Sequence, residues 1–135
     1  MTQIFALVFL AFAAGPAFAQ ESLVTPDDGI VMGADEVDPA DLTWRKRPLV
    51  VFADTPADPR YVEQMGYLTE RTEALAARDV LVITDTDPDA RSSWRQRLRP
   101  RGFQLVLMDK NGDIYLRKPV PWAVREITRS IDKMH

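Results

Sequence analysis

Four short apolar runs, separated by polar stretches, predict the strands of a buried sheet. Residues 49–52 (LVVF) and 80–83 (VLVI) are apolar at consecutive positions, as in central parallel strands that are covered on both faces. Residues 103–108 (FQLVLM) are followed by Asn111-Gly112, a dipeptide typical of tight hairpin turns, and then by residues 114–116 (IYL). We therefore expect two parallel strands followed by an antiparallel hairpin.

Helix signals lie between and after these runs. Asp58-Pro59 and Asp87-Pro88 each place a capping carboxylate before a proline that suits the first helical position. They predict helices over residues 59–78 and 88–98, and Pro121 opens a last helix. The order β-α-β-α-β-β-α predicts an α/β fold, in which a four-stranded mixed sheet carries helices on both faces.

This order and two short motifs resemble the thioredoxin core. Residues 52–60 (FADTPADPR) look like the thioredoxin stretch that ends in C-G-P-C, and residues 107–114 (LMDKNGDI) are similar to the LIDKDGKI hairpin of periplasmic thioredoxin-like proteins and peroxiredoxins. Aligned on Phe52, Ala57 and Arg60 fall on the two cysteine positions. The proline that thioredoxins place before their third strand has no counterpart here, because that position falls near Phe103. The resemblance implies a thioredoxin-like fold.

Longer blocks resemble a bacterial family, domain of unknown function 4174, over residues 42–134. The matching blocks are WRKRPLVVFA from Trp44, DPR from Asp58, AARDVLVI from Ala76 and GFQLVLMDKNG from Gly102. The resemblance implies that the same domain recurs in animal extracellular-matrix proteins of the sushi-repeat and coiled-coil-domain types. It carries an expectation of fold rather than of activity, because the bacterial family has no assigned reaction.

Composition excludes thiol chemistry. The chain contains no cysteine, whereas disulfide exchange and thiol peroxidase activity both need a thiolate. The one histidine, His135, is the last residue, a poor position for a catalytic or metal site. Residues 85–89 (DTDPD) begin like a calcium loop but continue with Ala90 and Gln96 where an EF-hand needs Gly and Glu. We expect no catalytic residue, cofactor or metal site of these kinds.

The amino-terminal part of the chain predicts export. An apolar run over residues 4–14 is followed by Gly15-Pro16 and by Ala17-Phe18-Ala19, the pattern of a signal peptide cleaved after Ala19. The run is too short to remain as a membrane-spanning helix, and no cysteine follows it for lipid attachment. We therefore expect a periplasmic or secreted protein.

An acidic leader is predicted to separate the signal peptide from the folded domain. Residues 20–41 contain seven acidic and no basic residues, a composition typical of flexible segments. The predicted organisation is thus a signal peptide over residues 1–19, a flexible leader over residues 20–41 and a thioredoxin-like domain over residues 42–135. One hypothesis places residues 27–41 of this leader over the basic residues 91–101 as a salt-sensitive cover.

The first candidate binding surface is the turn between the first strand and the first helix. Asp54, Thr55, Asp58 and Arg60 follow a predicted parallel strand, at the sheet edge where α/β proteins usually bind ligands. Arg60 is expected near a helix amino terminus, where a small anion could be received. The structural alternative is a capped junction, in which Asp58 serves only to start the helix.

The second candidate surface is an arginine stripe. Arg91, Arg95 and Arg99 are spaced by four residues, which would align them on one face of the predicted second helix. Such a face could bind a polyanion through charge, although a solvated helix face has the same pattern.

These observations favour an exported, redox-inactive binding module. The expected partner is an envelope or matrix protein, an anionic glycan or a lipid headgroup, and nucleic acid is not expected outside the cytoplasm. The alternative is an enzyme with non-thiol chemistry at the loop 54–60.

The export prediction can be tested directly. Mass spectrometry of the chain recovered from outside the cytoplasm is expected to give a polypeptide that begins at Gln20, because the small residues Ala17 and Ala19 define the cleavage site. Replacing Ala19 with Arg is expected to leave the precursor uncleaved. Recovery of an amino terminus elsewhere would contradict the assigned site.

Overall fold

The computed structural model describes residues 29–134, which form a five-stranded sheet with helices on both faces. The sheet order is β1-β3-β2-β4-β5, in which β1, β3 and β2 are parallel and β4 and β5 are antiparallel to their neighbours. The strands are β1 (Val31–Gly33), β2 (Arg47–Phe52), β3 (Val80–Asp85), β4 (Gln104–Met108) and β5 (Ile114–Lys118). The predicted signal peptide and residues 20–28 of the leader lie outside the described residues.

Within residues 29–134, four α-helices and two 3₁₀ turns lie between the strands or after the last strand. The helices are α1 (Pro59–Glu70), α2 (Thr72–Ala76), α3 (Ser93–Leu98) and α4 (Val124–Asp132), and the 3₁₀ turns are Pro39–Leu42 and Pro88–Ala90. Among residues 29–134, no helix combines the length and apolarity needed to cross a bilayer.

Alternate residues of the central strands enter two separate cores. Leu49 and Val51 face one core together with side chains of α1, α2 and α4, whereas Val50 and Phe52 face the other together with α3 and the first 3₁₀ turn. This alternation follows from the two-residue period of a strand. All four of these side chains are fully buried, as the consecutive apolar run predicts for a central strand.

The prediction of four strands is wrong, because part of the expected leader forms a fifth. Val31–Gly33 pairs with β3 as a parallel edge strand, and the main-chain bonds Val82 N to Ile30 O (2.6 Å) and Ala34 N to Thr84 O (2.9 Å) extend the pairing at both ends. Three residues that the prediction assigned to the leader are therefore part of the sheet. Surrounding acids obscure this short strand in the sequence, and only pairing with β3 stabilises it.

Two predicted helices are shorter than expected because the backbone leaves helical geometry inside them. Arg71 (φ −136°, ψ 42°) separates α1 from α2. In the second predicted helix, Arg91 adopts a left-handed conformation (φ 51°), and Ser92 then caps α3 by accepting a hydrogen bond from the Arg95 N–H at 3.1 Å. Arg91 consequently lies outside the helix that carries Arg95.

A buried amide joins the first helix to the chain segment that precedes the last one. Gln64 is fully buried in α1; its side-chain nitrogen donates to the Trp122 carbonyl at 2.8 Å and its oxygen accepts from the Trp122 N–H at 2.9 Å. Both main-chain groups of Trp122 are thereby satisfied by one side chain. Since unpaired buried polar groups are costly, this amide fixes the connection between β5 and α4.

We predict that Gln64→Leu lowers the free energy of unfolding by about 1–3 kcal/mol, because it leaves both main-chain groups of Trp122 without a partner. Urea unfolding measures the effect. The matched control is Gln96→Leu, which removes an exposed bond to the Arg91 carbonyl and is expected to change stability by less than about 0.5 kcal/mol. Equal effects of the two variants would contradict the assigned role of Gln64.

Candidate functional site

The candidate site is the edge of the sheet at which the parallel strands end. The opening turn follows Phe52 at the end of β2 and leads into α1, while Asp85 ends β3 beside it. This carboxyl edge is where α/β sheets usually present ligand-binding residues. The segment between α3 and β4 reaches the same edge, because Gln104 pairs with Phe52.

The opening turn is held by its own polar side chains. The Thr55 hydroxyl accepts a hydrogen bond from the Ala57 N–H at 3.2 Å. The Asp58 carboxylate accepts from the main-chain N–H of Arg60 at 2.9 Å and from the Arg60 guanidinium at 3.2 Å. These hydrogen bonds from Arg60 hold the pKa of Asp58 below its ordinary value. Asp58 therefore serves as helix cap and ion partner, whereas Asp54 and Thr55 are exposed.

Arg60 packs on Phe103, near which the sequence resemblance puts the position of the thioredoxin proline. Its guanidinium carbon lies 5.7 Å from the centre of the Phe103 ring, within the range of a cation–π contact. Gly102, with φ +59°, brings the main chain close, since a Cβ there would lie 4.0 Å from the guanidinium. The arginine is 51% exposed, but its Asp58 and Phe103 contacts make it a poor free cation for a small anion.

A buried ion pair lies directly beneath this turn. The Arg95 Nε donates to the Asp85 carboxylate at 2.8 Å, and the two side chains are only 10% and 4% exposed. The Arg95 Nη2 donates to the Ala53 carbonyl at 2.7 Å, and the guanidinium carbon lies 5.4 Å from the centre of the Phe52 ring. The Ser92 hydroxyl donates to the second oxygen of Asp85. Arg95 thereby connects β2, β3 and α3.

The predicted arginine stripe is therefore wrong as a helix face. Arg95 points into the protein, while Arg91 and Arg99 flank α3 in left-handed conformations, both with φ 51°. The structure instead leaves four arginines of residues 91–101 exposed, and none forms an ion pair with another residue in the described range 29–134. These are Arg91, Arg97, Arg99 and Arg101.

The leader residues within the structure contact α3 without covering these arginines. The Trp94 indole donates to the Val37 carbonyl at 2.7 Å, and the Ser93 hydroxyl donates to the Asp38 carboxylate at 3.0 Å. In the described part of the chain, no acid of residues 35–41 forms an ion pair with residues 91–101. The contact is thus made by an aromatic donor and a hydroxyl, not by the charges that the cover hypothesis invoked.

A cavity of about 250 Å³ opens beside the ion pair, between the ends of β1 and β3. Sequence reasoning missed it, because one wall comes from the unexpected strand. Its carboxylates are partly engaged: Asp85 binds Arg95, and Asp87 accepts from the Asp89 N–H at 3.2 Å. Within residues 29–134, no cluster of three or more potential metal ligands occurs. The lining residues are Ala34, Asp35, Thr84, Asp85, Thr86, Asp87, Ala90 and Ser92.

A comparison with models of protein families identifies the family of this chain. The family model for the domain of unknown function DUF4174 matches residues 38–135. The chain belongs to the DUF4174 family. This match spans β2 to β5, all four helices and the edge described above. A comparison with curated proteins found no match.

Solved structures share the fold of this DUF4174 chain. The reduced 2-Cys peroxiredoxin of Plasmodium vivax has a TM-score of 0.57 at 15% identity, covering 69% of this chain and 79% of that one. A designed protein has a TM-score of 0.55 at 19% identity, covering 82% and 95%. Prx1a of Plasmodium yoelii has 0.55 at 17% identity, covering 71% and 77%. At these identities the likeness establishes a thioredoxin-like fold and no shared activity.

The buried ion pair leads to a stability prediction. Arg95→Met is expected to lower the free energy of unfolding by about 3–5 kcal/mol, because it leaves the Asp85 carboxylate buried without its cation. Arg95→Met/Asp85→Leu, which removes both charges, is expected to recover part of that loss. Arg99→Met is the matched control, with a change within about 0.5 kcal/mol because Arg99 is exposed. Urea unfolding that shows equal losses for Arg95→Met and Arg99→Met would refute the role of the pair.

Proposed function

We propose that this DUF4174 chain is an exported, redox-inactive binding module that recognises an anionic polymer through the exposed arginines of residues 91–101, here called the arginine segment. The observation that carries the proposal is the set Arg91, Arg97, Arg99 and Arg101, which are exposed and form no ion pair within residues 29–134. Export is supported by the apolar run and the Ala17-Phe18-Ala19 motif of the sequence, which places the partner in the periplasm or outside the cell.

The backbone at the ends of α3 favours this use of the arginines. Arg91 and Arg99 both have φ 51°, a conformation that arginine adopts at a cost; Arg91 follows the second 3₁₀ turn and Arg99 follows the last residue of α3. Arg97 donates to the Gly112 carbonyl at 2.8 Å, which limits its mobility without neutralising its charge. An array of exposed cations on short, ordered segments attracts an extended polyanion more readily than a small ligand, which needs a concave site.

The alternative of a non-thiol enzyme at the loop 54–60 has less support. Asp58 caps α1 and binds Arg60, and its lowered pKa makes it a weak general base that carries no proton to donate near neutral pH. Arg60 is occupied by Asp58 and Phe103. The two charged residues best placed for catalysis thus stabilise the turn, and Asp54 and Thr55 lack a neighbouring base in the hydrogen bonds of the described chain.

The proposal predicts charge-dependent retention on heparin, used as a model anionic polymer. Arg91→Gln/Arg99→Gln/Arg101→Gln is expected to elute at clearly lower salt than the wild type. The slope of log affinity against log salt should fall by about one for each arginine that contacts the polymer, as for phosphate contacts in nucleic acids. The three arginines are exposed and glutamine is polar, so the fold is expected to be retained.

The matched control removes three cations from the last helix and its end, in Arg125→Gln/Arg129→Gln/Lys133→Gln. These residues are exposed and form no ion pair within residues 29–134. The control should elute close to the wild type. Equal losses for the two triple variants would mean that retention follows total charge, and would contradict a specific role for the arginine segment.

A further inference from the structure

Trp44 combines high exposure with an unfavourable backbone conformation. It is the most exposed large apolar side chain of residues 29–134, at 73%, and its φ is +68°. A bulky residue in the left-handed region is a real conformational outlier and is retained only where the surroundings enforce it. Here the Trp44 N–H donates to the Lys110 carbonyl at 2.6 Å, which holds the residue against the hairpin between β4 and β5. The fold thus supports an indole that it does not bury.

Basic residues follow Trp44 in the sequence and contact the hairpin that holds it. Arg45 and Lys46 follow it directly and are exposed, and neither forms an ion pair within residues 29–134. Arg97 reaches the same hairpin from α3 through its bond to the Gly112 carbonyl at 2.8 Å. Asp79, an acid at this end of the sheet, is paired with Lys110 at 2.6 Å. The hairpin also carries Asp113 and Asp109, and the Asp109 carboxylate accepts two main-chain N–H groups of its own turn. Within the described residues, the unpaired cations next to Trp44 are therefore Arg45 and Lys46.

No concave site accompanies the aromatic residue. The cavity nearest in sequence lies between the first 3₁₀ turn and the hairpin and has a volume of only about 10 Å³, less than a small ligand requires. A protruding indole with flanking cations suits a broad, soft and anionic surface. Tryptophan is the residue that favours the water–hydrocarbon boundary, and basic side chains are drawn to anionic headgroups.

The path of the chain favours a membrane as that surface. Strands β1 and β2 both pair with β3 in parallel, so all three begin at the same edge of the sheet. Gly29 lies just before β1, and Trp44 lies just before β2. Both therefore lie at the amino edge of the sheet, opposite the carboxyl edge of the candidate site. The apolar run of residues 4–14 is joined to Gly29 by residues 15–28, which can extend over at most about 50 Å. In the precursor, before cleavage after Ala19, a membrane that holds this run lies within that reach of the amino edge.

We propose that the amino edge, formed by Trp44, Arg45 and Lys46 with Arg97 beside them, is a docking surface for an anionic lipid bilayer. The indole enters the headgroup region and the cations bind lipid phosphates. The carboxyl edge then faces away from the membrane. This surface shares Arg97 with the arginine segment, but the variants that test it leave residues 91–101 unchanged, so its failure can be told apart from a failure of heparin binding.

The test uses the exported chain as the cell delivers it and vesicles of phosphatidylglycerol and phosphatidylcholine with brominated acyl chains. Tryptophan emission is expected to be quenched in the wild type and much less in Trp44→Phe, since Trp94 is buried and Trp122 precedes α4 at the opposite edge. Vesicles of phosphatidylcholine alone are expected to give little quenching. This readout reports the position of Trp44 itself, even if another part of the chain binds lipid.

Two variants separate docking from folding. Trp44→Gly is expected to reduce vesicle affinity about tenfold or more, because it removes a large apolar side chain from the interface. The thermal unfolding midpoint should not fall, because glycine tolerates a positive φ. Arg45→Gln/Lys46→Gln is also expected to cost about tenfold or more in affinity, whereas Arg125→Gln/Arg129→Gln on the last helix is expected to change it little.

Three results would overturn the proposal. The first is vesicle binding without any quenching that depends on Trp44. The second is equal affinity for the anionic and the neutral vesicles. The third is a Trp44→Gly variant that binds normally, or one that loses binding only together with its folded structure.

Discussion

The buried pair of Arg95 and Asp85 is the interaction on which the carboxyl edge of this protein depends. Arg95 also donates to the Ala53 carbonyl, so one guanidinium joins the ends of two parallel strands to the helix that carries it. Removing two charges from water is costly, and the cost is met here because the Asp85 carboxylate receives donors on both oxygens. The opening turn, the cavity beside β1 and the start of α3 are all positioned by this network.

Above that network, the turn that follows β2 contains no cysteine and differs in its chemistry from the thioredoxin stretch that it resembles in sequence. Ala57 and Arg60 stand where the sequence alignment puts the two thioredoxin cysteines, and Arg60 rests on Phe103, near which the same alignment puts the proline. A charged side chain stacked on an aromatic ring and tied to Asp58 gives a stable surface instead of a nucleophile. The charged groups of this turn therefore satisfy one another.

The sheet also separates two surfaces with different properties. Its carboxyl edge carries the engaged pairs Asp58–Arg60 and Asp85–Arg95, whereas the opposite edge carries the exposed Trp44. Because parallel strands all begin at one edge and end at the other, features that precede the strands are kept apart from features that follow them.

The sequence by itself determined the central strands, the capped start of α1, the hairpin and the absence of thiol chemistry, because these follow from local patterns and composition. Only the tertiary structure decided that residues 31–33 form a strand, since a three-residue edge strand is stable only when paired with β3. It also decided that Arg95 is buried while Arg91 and Arg99 are exposed. The spacing of the three arginines was helical, but the direction of each side chain was set by a distant carboxylate, Asp85, and by the left-handed breaks that end the helix.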